Sequence, residues 1–349
     1  MLALDHIIFS LQHTGGISRW WSEHSSRIME KLGNNIDHIG PYPNSNCIMS
    51  EYEALSRLPV SNRKYFERFA RVSLPDSVQI FHSSYYRNPD TRWRKAVVCT
   101  FHDSALLGGY SLGAIVRRQV IRRALTRADI IHCVSRESSM QLRMQFPEIP
   151  QERIRIVYHG VDRAIPAPIN RLKLETGQFV LWVGKRLGYK NGIVTYQALT
   201  QVPDVDLVFV GGEVPLAWEK ELIERLGIAS RVHYLGYVST CELAWAYVHA
   251  VAMWYTSVIE GFGMPVIEAA AYGCPAITSS APAIQEIGGD WVIMTENPTP
   301  EWIAEATLMV SNDYTRQEIA NRGKKLADRF SWDIYTQKML DIYQELGLT

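Results

Sequence analysis

Short apolar runs alternate with longer amphipathic segments along the whole chain. Apolar runs bounded by glycine or polar residues predict buried strands, and the segments between them predict helices. Because strands and helices alternate in both halves, the pattern predicts two doubly wound α/β domains. The strands are predicted at residues 6–10, 78–82, 96–101, 130–135, 179–184, 205–212 (including a turn), 232–238, 251–255 and 275–279.

Prolines interrupt the pattern near the middle of the chain. Pro166 and Pro168, with their polar neighbours, are typical of a linker. We therefore predict a first domain over residues 1–163 and a second over residues 164–331. An amphipathic helix is predicted to follow, from residue 332 to the end of the chain.

The composition fits a soluble globular protein. The chain has 349 residues, of which 47% are apolar and 21% charged, which suits two domains with a core each. No apolar stretch approaches the roughly 18 residues that a membrane span needs, and the start lacks the features of a signal peptide. The five cysteines are scattered without a C-x-x-C pair, so we expect reduced cysteines in a cytoplasmic protein.

The formal net charge is zero, but the charges are unevenly distributed. Residues 1–163 hold 22 Lys and Arg against 15 Asp and Glu, whereas the remainder holds 14 against 21. A basic first half favours contact with an anion, either a lipid headgroup or a pyrophosphate-linked acceptor. Ordinary surface charge that happens to segregate is the alternative.

Two basic segments bear on that choice. Residues 57–75 mix arginines with aromatic residues, which suits a membrane surface but also a solvated helix packed on its aromatic side. The predicted helix at residues 113–127 carries five arginines spread round most of the helix. That spread is poor for an interfacial helix and favours one partly buried through its arginine stems.

Two carboxylates eight positions apart suggest a ligand site. Glu260 lies in a tight glycine-rich turn after the strand at 251–255, and Glu268 lies about one turn into the next helix. Pro265 suits the first helical position, and Gly273 is predicted to end that helix. Both carboxylates can then face one cleft at the carboxyl end of a strand, where open α/β sheets bind ligands.

This arrangement suits a nucleotide that carries a sugar. One carboxylate can accept hydrogen bonds from two ribose hydroxyls, while the other orients a sugar hydroxyl. The glycines allow a close approach to the backbone, and a helix N-terminus favours an anion. The alternative is a first-turn acid that complements the helix dipole, with Glu260 as a solvated loop residue.

Three cations follow the strand at 179–184, namely Lys185, Arg186 and Lys190. At the carboxyl end of a strand they can neutralise a diphosphate leaving group. A solvated turn is the alternative. In the first half, Gly15 and Gly16 open a helix and expose backbone amides, although a simple turn would use the same residues.

His102 directly follows the strand predicted at 96–101 and is therefore expected at the edge of a cleft. A histidine that hydrogen-bonds the local backbone is the alternative. We expect no metal site in this protein.

The whole string from Glu260 to Glu268, with the E-A-A-A-x-G-C-P that begins at Glu268, resembles the E-x7-E element of glycosyltransferase family 4. That family comprises retaining enzymes of the GT-B fold, in which two Rossmann-like domains face a central cleft. Residues 100–103 resemble its T-x-H-D/T element, and the glycine pair near residue 15 resembles its glycine loop. The resemblance covers almost the whole chain.

The resemblance implies a role for each candidate residue. Glu268 would bind the ribose, and Glu260, with the amides after Phe262, would place the sugar. His102 would lie next to the reacting carbon, and the helix from residue 332 would pack against the first domain. The family's R-x4-K pair, which binds the diphosphate, is assigned to Arg186 and Lys190, with Lys185 where some relatives place the arginine. The full donor set comprises Gly15, Gly16, Lys185, Arg186, Lys190, Glu260, Phe262, Gly263, Met264 and Glu268, and the catalytic residues are Glu260, His102, Arg186 and Lys190.

The implied activity is a metal-independent, retaining transfer of a hexose from a nucleotide-diphosphate sugar, without a cofactor. Mannose is the first candidate sugar, and a glycan or lipid-linked molecule in surface polysaccharide synthesis is the expected acceptor. Contact with the inner face of the membrane is an accompanying expectation, and no nucleic acid partner is expected. A sugar-nucleotide epimerase of the same fold and a non-catalytic nucleotide-sugar-binding protein remain as alternatives.

Overall fold

The computed structural model describes residues 1–12, 15–40, 69–103 and 111–348, which form two compact units. Unit 1 comprises Met1–Gly160 with Trp332–Thr349, and unit 2 comprises Val161–Ser331. Most of the basic and aromatic segment, residues 57–68, lies outside the described ranges, and so does Cys47.

Six parallel strands make up the sheet that the described part of unit 1 contains. They follow the spatial order β2-β1-β3-β4-β5-β6, so the order reverses at β1, between β2 on one side and β3 on the other. Such a reversal opens a crevice at the carboxyl ends of the two strands beside it. The strands are β1 (Leu2–Asp5), β2 (Ile36–Ile39), β3 (Ile80–Ser83), β4 (Ala96–Phe101), β5 (Ile130–Cys133) and β6 (Ile154–Ile156).

The prediction for the first strand was wrong. We expected it at residues 6–10, but β1 covers Leu2–Asp5, and Ile8–Leu11 forms a short helix. The residues of β1 are fully buried and pair in parallel with both β2 and β3. Two apolar runs follow each other here, and periodicity alone does not separate a short strand from a buried helical turn.

The helices of unit 1 pack on the sheet through apolar residues. Ile121 and Leu125 of the third helix and Leu142 of the fourth join one core cluster with strand residues such as Phe81 and Phe101. The fourth helix begins at Ser135, whose hydroxyl accepts a hydrogen bond from the amide of Ser138. These helices are α1 (Ile8–Leu11), α2 (Gly16–Leu32), α3 (Leu112–Arg127) and α4 (Arg136–Gln145).

Unit 2 contains a second sheet of six parallel strands, in the order β12-β11-β10-β7-β8-β9. The chain builds β7, β8 and β9 outward in one direction and then returns to place β10 on the other side of β7. The switch point therefore lies between β7 and β10. The strands are β7 (Phe179–Val183), β8 (Asp206–Val210), β9 (Val232–Gly236), β10 (Met253–Tyr255), β11 (Ala276–Ser279) and β12 (Ile293–Thr295).

Helices connect the strands of unit 2, and one last helix returns the chain to unit 1. The helices of unit 2 are α5 (Val194–Leu199), α6 (Ala217–Arg225), α7 (Thr240–His249), α8 (Met264–Tyr272), α9 (Pro282–Gly288), α10 (Pro300–Val310) and α11 (Asp313–Ala327). Helix α12 (Trp332–Glu345) packs on α2 within unit 1. In the described ranges, no helix combines the length and apolar character needed to cross a membrane.

Both sheets are parallel and both units alternate strands with helices, which confirms the predicted pair of doubly wound α/β domains.

Candidate functional site

The candidate residues of unit 2 lie at the switch point of its sheet. The loop after β7 and the loop after β10 meet there and are joined by backbone and side-chain hydrogen bonds. The amide of Val258 donates to the carbonyl of Tyr189 (2.9 Å), and the hydroxyl of Thr256 donates to the carbonyl of Asn191 (2.9 Å). The structure therefore brings the predicted cations and carboxylates to one edge of the sheet.

The turn before α8 requires glycine. Gly263 has φ +96 and caps the helix, and a Cβ on it would lie 2.4 Å from Cδ1 of Ile284. The left-handed backbone strains any other residue here, and the Ile284 methyl would have to shift to admit a side chain. Helix α8 begins at Met264, so Pro265 is its second residue rather than the first, and it ends at Gly273 as predicted.

Lys190 and Glu260 form a nearly buried ion pair that also includes Tyr255. The Lys190 ammonium donates to Oε1 of Glu260 (2.5 Å) and to the Tyr255 hydroxyl (3.1 Å), which itself donates to the same carboxylate oxygen (2.6 Å). Burial, and then the neighbouring Glu260 charge, hold the pKa of Tyr255 well above its usual value. Tyr255 therefore stays protonated and keeps the carboxylate in place.

Glu268 is held from the neighbouring helix. Its carboxylate is buried in the second turn of α8, where Oε2 accepts a hydrogen bond from the hydroxyl of Tyr247 on α7 (2.8 Å). The ring of Tyr247 in turn stacks on Tyr272, with centroids 5.8 Å apart. The orientation of this carboxylate thus depends on residues from two helices.

Each of the three guanidinium nitrogens of Arg186 has a partner within unit 2. Its Nε and Nη2 donate to the two carboxylate oxygens of Glu219 (2.6 and 2.8 Å), and Nη1 donates to the carbonyl of Glu213 (2.6 Å). The guanidinium also lies over the ring of Tyr234, 4.9 Å from its centroid. Burial disfavours both charges, yet the paired hydrogen bonds outweigh it, raising the pKa of Arg186 and lowering that of Glu219.

The spacing of the cations also needs a correction. Three residues separate Arg186 from Lys190, whereas four separate Lys185 from Lys190, so an R-x4-K spacing selects Lys185. The Lys185 side chain is 75% exposed, and its ammonium is 4.0 Å from a carboxylate oxygen of Glu213, which is as exposed. Lys185 can therefore move to a ligand, whereas Arg186 would have to leave Glu219.

The predicted residues of unit 1 lie at the start of α2 and at the end of β4. A Cβ on Gly15 would lie 2.6 Å from the Gln12 side chain, whereas one on Gly16 would meet nothing within 4 Å. His102 is buried, and its Nε2 has no hydrogen-bond partner among the described residues. Burial, and then the nearby His132, lower the pKa of His102 to about 3, so this imidazole is neutral.

Sequence reasoning missed the residues that hold the candidate groups, namely Tyr255, Tyr247 and Glu219. Tyr255 could have been found, because it is the last residue of the strand predicted at 251–255 and therefore lies at the carboxyl edge. Tyr247 and Glu219 lie on helices, and nothing in their spacing marks them. In the described ranges, no group of three or more His, Cys, Asp or Glu side chains is arranged to hold a metal ion.

Two family models match the chain in succession. The model of glycosyltransferase family 4 matches residues 47–164, and that of glycosyl transferases group 1 matches residues 168–326. Among curated proteins, the O-antigen chain mannosyltransferase B of Escherichia coli is 32% identical over 187 residues, which cover 51% of this chain and 49% of that protein. The MMP alpha-(1->4)-mannosyltransferase of Mycolicibacterium hassiacum is 30% identical over 147 residues, covering 41% and 36%. The chain thus spans about half or less of the length of these two relatives.

A solved structure matches the chain along its whole length. Alr3699/HepE from Anabaena, solved in complex with UDP-glucose, has a TM-score of 0.74 with 17% sequence identity and covers 99% of both chains. At that identity the likeness shows the GT-B fold, and the two family models, which together match residues 47–164 and 168–326, show that this chain belongs to glycosyltransferase family 4.

Proposed function

We propose that this protein is a retaining glycosyltransferase that moves a hexose from a nucleotide-diphosphate sugar to a glycan or lipid-linked acceptor. The observation that carries the proposal is the cluster of Lys190, Tyr255 and Glu260 beside Glu268 at the switch point of unit 2. It offers a cation for a diphosphate and two oriented carboxylates for hydroxyl groups. The UDP-glucose complex of the Anabaena protein supports a nucleotide sugar as the donor.

The ion pair between Lys190 and Glu260 suggests the order in which the donor makes its contacts. A diphosphate carries more charge than Glu260 and draws the Lys190 ammonium toward itself. Glu260 then loses its cation, keeps the hydrogen bond from Tyr255, and can accept one from a sugar hydroxyl. Glu268 binds the ribose from the position in which Tyr247 holds it.

We assign the second diphosphate contact to Lys185 rather than to Arg186. Lys185 is exposed, and four residues separate it from Lys190, as in the family's R-x4-K spacing. Arg186 serves the loop instead, because its carbonyl accepts a hydrogen bond from the amide of Gly192 (2.7 Å) while Glu219 fixes its side chain. Arg186 thereby helps to set the conformation of the segment that presents both lysines.

The residues around α8 complete the donor contacts in unit 2. The amides at Phe262, Gly263 and Met264 lie at the N-terminus of α8, where a helix favours negative charge. In unit 1 we propose that Gly15 and Gly16 face the donor and that His102 contacts the transferred sugar. A neutral, buried imidazole whose Nε2 has no hydrogen-bond partner among the described residues suits a sugar hydroxyl.

The charge of the leaving diphosphate would be met by Lys190, Lys185 and the amides of α8. We therefore propose that the transfer needs neither a metal nor another cofactor. Mannose is the first candidate sugar, since both curated relatives above are named mannosyltransferases, and surface polysaccharide synthesis is the proposed setting. An epimerase or a binding protein is not favoured, because the named relatives are transferases.

We also propose a cytoplasmic location with contact at the inner face of the membrane through unit 1. Helix α4 exposes Met140 (52%) and Met144 (74%), and α3 exposes Ile115 and Val116 beside its arginines. The two helices are neighbours, since Arg118 of α3 donates a hydrogen bond to Gln145 of α4 (3.1 Å), and their apolar and basic side chains together suit an anionic membrane. We expect the protein to sediment with anionic vesicles. Equal sedimentation with zwitterionic vesicles, or no sedimentation with either kind, would contradict this contact.

A turnover assay tests the proposed function. The protein is incubated with mannose and glucose donors of each common nucleotide, with and without oligosaccharide or polyprenyl-linked acceptors, and without added metal. We expect release of the nucleoside diphosphate, faster with an acceptor, and a product with the anomeric configuration of the donor. Isomerised donor without an acceptor would indicate an epimerase, binding without any turnover would indicate a binding protein, and an inverted product would overturn retention.

A further inference from the structure

Buried polar groups of unit 1 form one continuous chain of hydrogen bonds. At one end the indole N–H of Trp20 bonds to the hydroxyl of Tyr335 (2.9 Å), which bonds to Nδ1 of His24 (3.0 Å). His24 Nε2 bonds in turn to the hydroxyl of Tyr343 (3.0 Å). This first half of the chain alternates between α2 and α12.

The second half runs from α12 across the sheet. The Tyr343 hydroxyl bonds to Nδ1 of His82 on β3 (2.6 Å), and His82 Nε2 bonds to the hydroxyl of Thr100 on β4 (2.9 Å). Thr100 continues to Nδ1 of His132 on β5 (3.1 Å), whose Nε2 bonds to the carbonyl of Val157 (2.9 Å). Every side chain in this chain of hydrogen bonds is buried.

The two ends of the chain fix the position of every proton in it. The indole of Trp20 can only donate, and the carbonyl of Val157 can only accept. A neutral imidazole supplies one donor and one acceptor, so a single arrangement satisfies all seven bonds, in which every group donates toward Val157. His24, His82 and His132 then all carry their proton on Nε2. Burial lowers the pKa of each of the three, which keeps them neutral.

The Trp20 end of this chain lies against His102. The indole is fully buried and meets the imidazole of His102 edge to face, with centroids 4.7 Å apart and planes at 75°. On its own face the indole stacks near His24 and His159, at 5.7 Å from each. The Trp20 ring lies closer to His102 than the ring of His159, whose centroid is 6.4 Å from that of His102.

We propose that Trp20 is a positioning residue for His102, and that the hydrogen bond which its indole N–H donates to Tyr335 is what fixes Trp20 in that role. The Tyr335 hydroxyl holds the indole in place, and the indole holds the imidazole that is to meet the donor sugar. This inference rests on the proposed role of His102. Trp20 also lies in the first turns of α2, so the same anchor holds the helix that starts at Gly16.

The variant Tyr335→Phe tests the proposal, with Tyr343→Phe as its matched control. Each removes one hydroxyl from the same chain and the same helix, but Tyr335→Phe leaves the Trp20 N–H without an acceptor, whereas Tyr343→Phe keeps that bond. We expect kcat to fall by about tenfold to a hundredfold in Tyr335→Phe with the donor KM unchanged, since small misplacements of a contact residue cost this much. In Tyr343→Phe we expect kcat to stay within about threefold of the wild type.

Imidazole NMR signals give a readout that does not depend on activity. We expect the His102 signals to shift in Tyr335→Phe and to stay unchanged in Tyr343→Phe. Equal kcat losses in the two variants, or unshifted His102 signals in Tyr335→Phe, would overturn the proposal. If Tyr335→Phe does not fold, Trp20→Phe replaces it, because it keeps an aromatic ring but lacks the N–H, and the same results are expected.

His102→Ala separates this inference from the proposed function. Wild-type turnover in His102→Ala would contradict the proposed contact between His102 and the sugar, even if Tyr335→Phe still shifted the His102 signals. A large loss in His102→Ala with no effect of Tyr335→Phe would keep the contact and overturn the positioning role of Trp20.

Discussion

Replacing Lys190 by methionine is expected to lower kcat by about a hundredfold to a thousandfold while the fold is retained. Removal of one group that meets developing charge typically costs about 3–4 kcal/mol of transition-state stabilisation. Methionine keeps most of the buried stem volume, and the Glu260 carboxylate keeps its hydrogen bond from Tyr255. Steady-state kinetics with the donor found by the turnover assay, together with circular dichroism of the variant, measure the effect.

Lys185→Met is the matched control for Lys190→Met. Its ammonium is exposed and 4.0 Å from Glu213, so it is easily screened and should contribute less. We expect a loss smaller than that of Lys190→Met and a weaker affinity for the nucleoside diphosphate. Wild-type turnover in folded Lys190→Met would show that Lys190 does not act on the donor. Wild-type affinity of Lys185→Met for the nucleoside diphosphate would show that Lys185 does not contact the diphosphate.

The protein is expected to lose stability as the pH falls from 6.5 to 5, because of the buried histidines of unit 1. Burial lowers the pKa of His132 to about 4 and that of His102 to about 3, and it lowers those of His24, His82 and His159 strongly. In the unfolded chain these histidines have a pKa of about 6.5, so below that pH the unfolded state binds protons that the folded state does not bind. The free energy of unfolding then falls by about 1.4 kcal/mol per pH unit for each histidine.

Urea unfolding at pH 7.5, 6.5, 5.5 and 5.0, followed by hydrogen exchange in β4 and β5, measures this slope. His132→Gln is the control, since it removes one of the titrating groups, and its slope should be smaller by about one proton. Burial raises the pKa of Asp5, even with Arg87 beside it, so this carboxyl acts in the opposite sense once the pH falls below its raised pKa. A constant or rising stability over this range would contradict neutral histidines in the core.

The fold was largely predictable because the apolar pattern carries it. Runs such as 96–101 coincide with β4, and the alternation of strands and helices fixes the class in both halves. The first strand failed because two apolar runs adjoin near the N-terminus, and only pairing with β2 and β3 decides between them. The order of strands in each sheet is a long-range property that no local window contains.

The candidate site was predictable as far as local spacing reaches. The turn around Gly263 and the carboxylates Glu260 and Glu268 lie in one continuous stretch of sequence. Arg186 shows the limit of local spacing, because Lys185, Arg186 and Lys190 look equivalent in sequence and differ only in the groups that their side chains contact. Glu219 comes from α6, 33 residues further along the chain, and engages the guanidinium through both of its oxygens. The hydrogen-bond chain of unit 1 joins residues up to 319 positions apart for the same reason.

The central claim is that unit 2 binds a nucleoside diphosphate through Lys190 and Glu268. It is tested most directly by a thermal-shift panel with UDP, GDP, ADP and dTDP at equal concentration, without metal, on the wild type and on Glu268→Ala and Lys190→Met. We predict that one nucleotide stabilises the wild type, by about 2.7 kcal/mol at a hundred times its Kd, and that both variants lose most of this shift. No shift with any nucleotide, or the same shift in the wild type and both variants, would contradict the claim.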